Sequence, residues 1–298
     1  MGVLDMAVTI GNKNIDEKYS KIVEPNLYAD AIFQPGVTYT DKYKEDSAGG
    51  IYVHKLGAKT IVPALPGSDY THTADADSLI RIAMNNEYKY SEKIYEVLAA
   101  QVGYDVAVAE LEDIIKTCKE ARDVSGQACL AYEGTAVTGV AITPSNVKES
   151  IIGLRKELTD KKCKPTTLIV STAVYAAILT AAGTDFVPTT NEKVLSEARV
   201  GKWLGFDIYE SPLLNTQAAK YYDYTDTLRS VDLRDVNMIA YDKEALSILD
   251  TLTNERIVDA VDFYGSLAQV NIVCGYRVTN PNCVVVRKTT TQQSDPNL

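Results

Sequence analysis

The chain has 298 residues with a net charge of −10, and 46% of its residues are hydrophobic. This length and apolar content predict a packed core in one large domain or two smaller ones. No segment approaches the roughly 18 apolar residues that a membrane helix needs. The acidic balance argues against a protein that grips nucleic acid through its phosphates. The first residues lack the basic start, apolar run and cleavage site of a secretory signal.

Residues 1–35 show no strong periodicity and are interrupted by prolines, so they are predicted to form an extended arm. Two β-like runs follow, GIYVHKL at 50–56 and SLIRIAMNNEYKYSEKI at 78–94. The segment between them is polar and too long for a tight turn. We therefore expect a long β-hairpin with a projecting tip, which rests on a partner because isolated hairpins are marginally stable.

The segment from Glu92 to about Tyr132 lacks proline, and its apolar residues recur mostly three and four apart. That spacing predicts an amphipathic helix of about 35 to 40 residues, roughly 55 Å long. Gly103 and the Ser125–Gly126 pair mark the places where a break would fall. A coiled coil and two packed helices are the alternatives.

From about residue 140 to 255 helical and strand-like segments alternate, which predicts an α/β unit. Its expected parts are a helix over TPSNVKESIIGLRKELTDKK, a buried strand PTTLIVST, a helix ending at Gly183, a short helix ending at Gly201, the strands WLGFDIYES and VNMIAYD, and a short helix KEALSIL. The segment GSLAQVNIVCGYRVTNPNCVVVRK predicts two strands around a turn at TNPN. The last residues are predicted to form a polar tail.

The chain offers few residues for catalysis. Its two histidines, His54 and His72, both lie in the predicted hairpin, and the usual nucleotide-binding, serine-nucleophile and zinc-protease motifs are missing. The carboxylates Glu110 and Asp113 are typical of a solvated helix face, and Asp242 is typical of a helix N-cap. We therefore predict no catalytic residue, no cofactor and no metal site.

The five cysteines are Cys118, Cys129, Cys163, Cys274 and Cys283. They are odd in number and widely spaced, without a CxxC pair, which is typical of buried thiols in a reducing compartment. We expect all five to be reduced.

The order of arm, projecting hairpin, long helix, α/β unit and returning strands resembles the major capsid proteins of tailed bacteriophages, which have the HK97-like fold. The resemblance covers nearly the whole chain. Four segments carry it locally: LIVSTAVYAAIL at 168–179, GKWLGFDIYESPLL at 201–214, NMIAYDKEAL at 237–246 and YGSLAQVNIVCGYRVTNPNCVVV at 264–286.

This resemblance implies an α+β fold of five parts. They are an N-terminal arm at 1–35, an extended-loop (E-loop) hairpin at 36–91, a peripheral domain with a spine helix and long strands at 92–139 and 256–288, an α/β axial domain at 140–255, and a polar tail at 289–298. The implied function is self-assembly into the hexamers and pentamers of an icosahedral shell that encloses double-stranded phage DNA.

The implied partners are further copies of the chain, a portal protein, and a separate scaffolding or decoration protein, without a membrane and without tight sequence-specific binding of DNA. The implied location is the virion capsid, after assembly in the host cytoplasm. The resemblance places contacts between subunits in the E-loop, at Lys59, Ile61, Val62, Pro63, Leu65 and Tyr70.

The segment around Trp203 is interpreted as structural. Gly201 is expected to end a helix, Gly205 to relax a turn, and Trp203 to pack on the following sheet. Lys202 is not followed by the Ser or Thr of a phosphate-binding loop, so it is not assigned to phosphate.

Two alternatives stay open. One is an encapsulin, a cellular compartment built on the same fold, which differs mainly in its cargo. The other is an α/β enzyme acting through residues 140–255, with the remaining parts serving oligomerisation.

Overall fold

The structure is a computed structural model that describes residues 32–43, 50–57, 59, 77–95, 106–183, 187–188 and 199–289. The α-helices in these ranges are α1 (Val106–Glu133), α2 (Val147–Asp160) and α3 (Thr172–Ala182). The strands are β1 (Gly50–Lys55), β2 (Ser78–Ala83), β3 (Asn86–Tyr95), β4 (Thr135–Gly139), β5 (Thr167–Ser171), β6 (Val187–Pro188), β7 (Arg199–Trp203), β8 (Phe206–Ser211), β9 (Ala218–Tyr222), β10 (Leu228–Asp232), β11 (Val236–Tyr241), β12 (Leu246–Asp259), β13 (Gly265–Val278) and β14 (Val284–Thr289).

A mixed sheet of seven strands, in the order β4-β14-β11-β5-β8-β7-β6, holds the larger core. The β14–β4 and β5–β8 pairs are parallel, and the other pairs are antiparallel. Every side chain of β5 and β11 is buried, because α2, α3 and the C-terminal half of α1 pack around the sheet. A strand covered on both faces reads as a continuous apolar run, which explains why the sequence reveals these two strands.

A second, antiparallel sheet has the order β12-β13-β3. β12 and β13 have 14 residues each, so each spans about 45 Å. The 28 residues of α1 span about 42 Å and lie along this sheet, where Ile114 and Cys118 pack with Val270 and Ile272. The far half of α1 is buried in the larger core. α1 therefore joins the long sheet to the seven-stranded sheet.

Two hairpins lie outside both sheets. β1 pairs with β2, and β9 pairs with β10, each in antiparallel register. The β1–β2 pairing confirms part of the expected hairpin, because only Ser78–Ala83 of the second run pairs with β1, whereas Asn86–Tyr95 is β3 of the long sheet. The segment predicted to form the hairpin tip lies largely outside the described residues. The β9–β10 hairpin was not predicted, since its strands AAKYY and LRSVD have only five residues each and neither strictly alternates apolar with polar residues.

The predicted start of the long helix at Glu92 is wrong. Residues up to Tyr95 belong to β3, and the helix is present from Val106. Gly103 lies outside the described residues. The helix runs through Ser125 and Gly126 without a break. β3 forms because it pairs along its whole length with β13, a partner about 180 residues away that local spacing cannot reveal.

Three smaller predictions also need correction. WLGFDIYES is not one strand, because it contains the last residue of β7, a two-residue turn and β8, and Gly201 lies inside β7 rather than at a helix end. KEALSIL is one 3-10 turn, Lys243–Ala245, followed by β12. Asp242 does cap that turn, because its carboxylate accepts a hydrogen bond from the backbone N–H of Glu244 at 3.2 Å.

The prediction of five reduced cysteines is wrong for one pair. Cys163 and Cys283 form a disulfide with their Cα atoms 5.3 Å apart. They lie 120 positions apart in the sequence, and they meet because β11 brings the start of β14 beside the start of β5. The other three, Cys118, Cys129 and Cys274, form no disulfide and are buried as expected.

Candidate assembly surfaces

The β1–β2 hairpin exposes apolar side chains. Tyr52 stands opposite Arg81, and Val53 stands opposite Ile80. Tyr52 is 70% exposed, and Leu56 and Leu79 are each 67% exposed. Large apolar side chains this exposed on a two-stranded hairpin make it a candidate contact surface.

The base of this hairpin is held by the β9–β10 turn. The side chain of Asn86 is buried and mimics a strand partner: its Nδ2 donates to the carbonyl of Tyr222 at 3.0 Å, and its Oδ1 accepts from the N–H of Tyr222 at 2.8 Å. Asn85 donates to the carbonyl of Asp223 at 2.6 Å. Arg81 donates to the carbonyl of Tyr224 at 2.9 Å. We call Arg81, Asn85, Asn86 and the turn they contact the hairpin anchor.

The carboxylate of Asp223 organises the turn of the hairpin anchor. Its Oδ1 accepts from the N–H groups of Thr225 and Thr227 at 2.8 and 3.1 Å, and Arg229 donates to Oδ2 at 2.6 Å. Burial alone would raise the pKa of Asp223, but the hydrogen bonds from Thr225, Arg229 and Thr227 outweigh it and lower that pKa to about 2. The turn is therefore built around a carboxylate that stays ionised.

A close backbone approach fixes where the hairpin crosses the long sheet. A Cβ at Gly275 in β13 would collide with the carbonyl oxygen of Ala83 at the end of β2. Gly50, at the start of β1, has a φ of +118° and lies against Ile82. Both glycines are required by this crossing, since only a residue without a Cβ fits there.

The same region joins α1 to β13. Glu133, at the end of α1, accepts from Arg277 and from the N–H of Val278, both at 2.9 Å. The guanidinium of Arg277 lies 3.6 Å from the ring centroid of Tyr224, a cation–π contact. Burial raises the pKa of Glu133, against the opposing effect of Arg277. The hairpin, the long sheet and α1 thus meet at one polar junction.

The segment that enters from the N-terminal side is anchored on α1. The N–H of Ile32 donates to the buried carboxylate of Asp123 at 2.6 Å. Arg122 donates to the carbonyl of Phe33 at 2.9 Å. Ile32 and Phe33 are buried in the larger core. Residues 32 and 33 are therefore held in place against α1.

The far end of the long sheet carries a second exposed apolar group. Val261 is fully exposed, and Tyr264 is 89% exposed. Tyr95 packs on Phe263 with ring centroids 5.2 Å apart, and Ile257 and Val258 on β12 are also exposed. We call Tyr95, Ile257, Val258, Val261 and Tyr264 the sheet tip.

Of the six residues predicted to contact neighbouring subunits, most lie outside the described residues. Lys59 is described and exposed, and the others lie outside the described residues: Ile61, Val62, Pro63, Leu65 and Tyr70. Of the predicted structural turn, Gly205 has a φ of +85°, and Trp203 is buried in the larger core, as expected. Sequence reasoning missed the hairpin anchor, although the Asn85–Asn86 pair interrupts an alternating run and was a usable signal.

The described residues contain little that suggests a metal-binding or catalytic site. In these ranges, no three His, Cys, Asp or Glu side chains are grouped so as to hold a metal ion. The pKa of Glu110 is raised mainly by burial and to a smaller extent by the nearby carboxylates of Glu92 and Asp113. These three carboxylates line the cleft between α1 and β3. None of the described helices is long and apolar enough to cross a membrane.

No known protein family matches the sequence, and no curated protein is detectably similar to it. Solved structures are similar in fold. A chain of Mycobacterium phage Che8 has a TM-score of 0.69 at 18% identity, covering 93% of this chain and 97% of its own. A chain from the capsid of cyanophage P-SCSP1u has a TM-score of 0.71 at 14% identity, covering 93% of each chain.

A chain from the capsid of an empty GTA particle has a TM-score of 0.63 at 12% identity, covering 94% of this chain and 96% of its own. These similarities extend over almost the full length of both partners. The chain therefore has the mixed α+β fold of phage capsid chains, and the resemblance inferred from the sequence is confirmed at the level of the fold.

Proposed function

We propose that this chain is the major capsid protein of a tailed bacteriophage, which assembles into hexamers and pentamers of an icosahedral shell around double-stranded DNA. The observation that carries the proposal is the full-length similarity of fold to capsid chains. The role is structural rather than catalytic. Its location is the virion, after assembly in the host cytoplasm.

The parts of the fold take HK97-like roles in this proposal. The β1–β2 hairpin with residues 56–77 is the E-loop, and α1 is the spine helix. The seven-stranded sheet with α2 and α3 is the axial domain, so β4 and β14, which the resemblance assigned to the peripheral domain, are moved to the axial domain. The strands β3, β12 and β13 form the peripheral sheet. The domain boundaries expected at residues 91/92 and 255/256 each fall inside one strand, β3 and β12 respectively. We therefore extend the peripheral domain to include residues 86–95 and 246–278.

The exposed apolar surfaces support assembly through further copies of this chain. The apolar side chains of the β1–β2 hairpin and of the sheet tip are both left exposed by the described part of the chain. A large interface shared among subunits would bury such side chains. The hairpin anchor holds the E-loop base in a fixed direction, so that its contact with a neighbour is preorganised.

The net charge of −10 supports a shell that encloses DNA without gripping it, because tight phosphate binding needs a basic surface. A portal protein and a scaffolding or decoration protein complete the set of partners. These would bind the assembled shell rather than a site that one chain provides.

Removal of residues 1–30 tests the proposal, as does replacement of Ile61, Val62 and Leu65 by serine. The expected result is a folded chain, with an unchanged circular dichroism spectrum, that forms no shells when observed by electron microscopy. A matched control replaces Ile152 by serine, on the exposed face of α2. Normal shells from the truncated and E-loop variants would contradict the assignment of arm and E-loop.

A further inference from the structure

The disulfide lies at one end of the seven-stranded sheet. Cys163 is in the connection between α2 and β5, and Cys283 directly precedes β14. Asp242, just after β11, makes hydrogen bonds to the backbone at or beside each of the two cysteines. Its N–H donates to the carbonyl of Cys283 at 3.1 Å, and its Oδ2 accepts from the N–H of Lys164 at 3.2 Å. The bond therefore spans the end of β11.

The backbone at both cysteines is held by contacts other than the bond. The N–H of Cys163 donates to the carbonyl of Leu158, and the N–H of Cys283 donates to the carbonyl of Asn280, both at 2.9 Å. The adjacent strands β5 and β14 are each paired to β11. Since these contacts fix both Cα atoms, a separation of 5.3 Å, within the range for a disulfide, is set by the fold itself.

We propose that Cys163 and Cys283 form a redox staple: the chain folds with both thiols reduced, and an external oxidant closes the bond in the folded state. One thiolate attacks a small disulfide such as oxidised glutathione, releasing one glutathione thiolate and forming a mixed disulfide. The second thiolate then displaces the other glutathione. The two cysteines lose two protons and two electrons, and one oxidised glutathione becomes two glutathione thiols.

The disulfide restricts the separation of β14, the last strand, from the rest of the sheet. The closed loop from Cys163 to Cys283 contains β5 to β13, whereas β14 follows the loop and lies between β4 and β11. In the reduced chain β14 is held by pairing and packing alone. In the oxidised chain its start is covalently tied to the α2–β5 connection, so it cannot separate there unless the bond breaks.

The remaining cysteines are poorly suited to compete for the oxidant. Burial raises the pKa of the Cys118 thiol and raises that of Cys129 well above its usual range. Both therefore stay in the unreactive thiol form. Cys274 is fully buried, and its thiol donates to the hydroxyl of Tyr276 at 3.1 Å.

The test uses the full chain made in a reducing bacterial cytoplasm. Cells are lysed in acid to trap thiols, the denatured chain is alkylated, and alkyl groups are counted by mass spectrometry. We expect five alkylated cysteines, as the sequence contains five, and three after the folded chain is treated with oxidised glutathione. Five alkylated cysteines after treatment with oxidised glutathione, or only three in the chain taken directly from the cells, would overturn the proposal.

Thermal unfolding supplies the second readout. Reduced wild type is expected to keep the circular dichroism spectrum of the oxidised chain and to melt about 5 to 10 °C lower. Cys283→Ser should melt like reduced wild type with or without reductant, whereas Cys118→Ser should keep the reductant-dependent shift.

An unfolded reduced wild type would show that the bond is needed for folding, and equal melting temperatures of the two forms would show that it does not act as a staple. Either result overturns the proposal, and both can be read even if Cys283→Ser does not fold. No readout involves assembly, so the outcome is independent of the proposed shell function.

Discussion

Phe33 packs directly against Gly126 in the C-terminal third of α1, where a Cβ built on the glycine would come 2.6 Å from the Cε2 atom of Phe33. Phe33 is 1% exposed, so its ring has little room to move away. Local propensity marks Gly126 as a weak point of the helix. In the fold it is the place where the entering N-terminal segment is seated.

Gly126→Ala should therefore destabilise the chain and loosen residues 32–43. In an open helix the same change is favourable by up to about 1 kcal/mol, but here the new methyl displaces a buried ring. Limited proteolysis and thermal unfolding measure the effect. The control is Gly153→Ala in α2, where a Cβ meets nothing within 4 Å, and its stability should be unchanged or higher. Equal behaviour of the two variants would contradict the seating of Phe33.

Asn86→Ala should release the base of the β1–β2 hairpin. The substitution removes the two hydrogen bonds that Asn86 makes to the N–H and carbonyl of Tyr222, and each such bond contributes about 0.5 to 1.5 kcal/mol. Urea unfolding measures the loss. Asn254→Ala, on an exposed position of β12, is the control and should cost far less. A loss no larger than the control's would show that the hairpin anchor does not hold the hairpin.

The stability of the chain should depend on pH through Asp223. The folded-state pKa is lowered from 3.8 to about 2, so the ionised carboxylate stabilises the fold above pH 3.8, and this contribution disappears as the pH falls towards 2. The contribution is about 2 kcal/mol. Asp223→Asn should lower the free energy of unfolding at pH 7 and flatten its fall between pH 4 and pH 2.

Asp232→Asn is the matched control for this pH dependence. The pKa of Asp232 is also lowered to about 2, by hydrogen bonds from Arg234, but its side chain is 51% exposed and that of Arg234 is 67% exposed. Solvent screens such a pair, so the change should be much smaller. An equal or larger effect at Asp232 would contradict the role assigned to the Asp223 turn.

The sheet tip should matter for assembly and not for folding. Val261 and Tyr264 make little contact with the rest of the chain, so replacing both by serine should leave the melting temperature unchanged. Particle yield in light scattering should fall sharply if the sheet tip meets a neighbouring copy. Val140→Ser, at a largely exposed valine elsewhere (70% exposed), should assemble normally. Full particle yield from the double variant would remove the sheet tip from the interface.

Elements with local signals were predictable from the sequence. The buried strands β5 and β11 and the helix α3 each have a continuous pattern that only one structure satisfies. The order of parts was enough to indicate the fold. Elements that depend on distant partners were not predictable: β3 and β12 are paired by β13, and the β9–β10 hairpin is held by Asn85 and Asn86 more than 130 positions away.

The candidate surfaces also divide into features with a local sequence signal and features that depend on distant residues. The pairing of β1 with β2 was predictable because both are β-like runs and a long polar segment separates them. The hairpin anchor had only a partial signal, because Asn85 and Asn86 interrupt an alternating run but nothing in the sequence identifies the turn whose backbone they contact. The disulfide was missed for a related reason, since spacing in the sequence carries no information on two cysteines joined across β11.

Negative-stain electron microscopy of the purified, concentrated chain, with light scattering on the same sample, tests the central claim most directly. The account predicts closed shells, tubes or capsomer rings, formed by the chain alone or on co-expression with a scaffolding protein. A monomer or small dimer at every salt and protein concentration, with no assembly on co-expression, would contradict it and return the α/β enzyme to consideration.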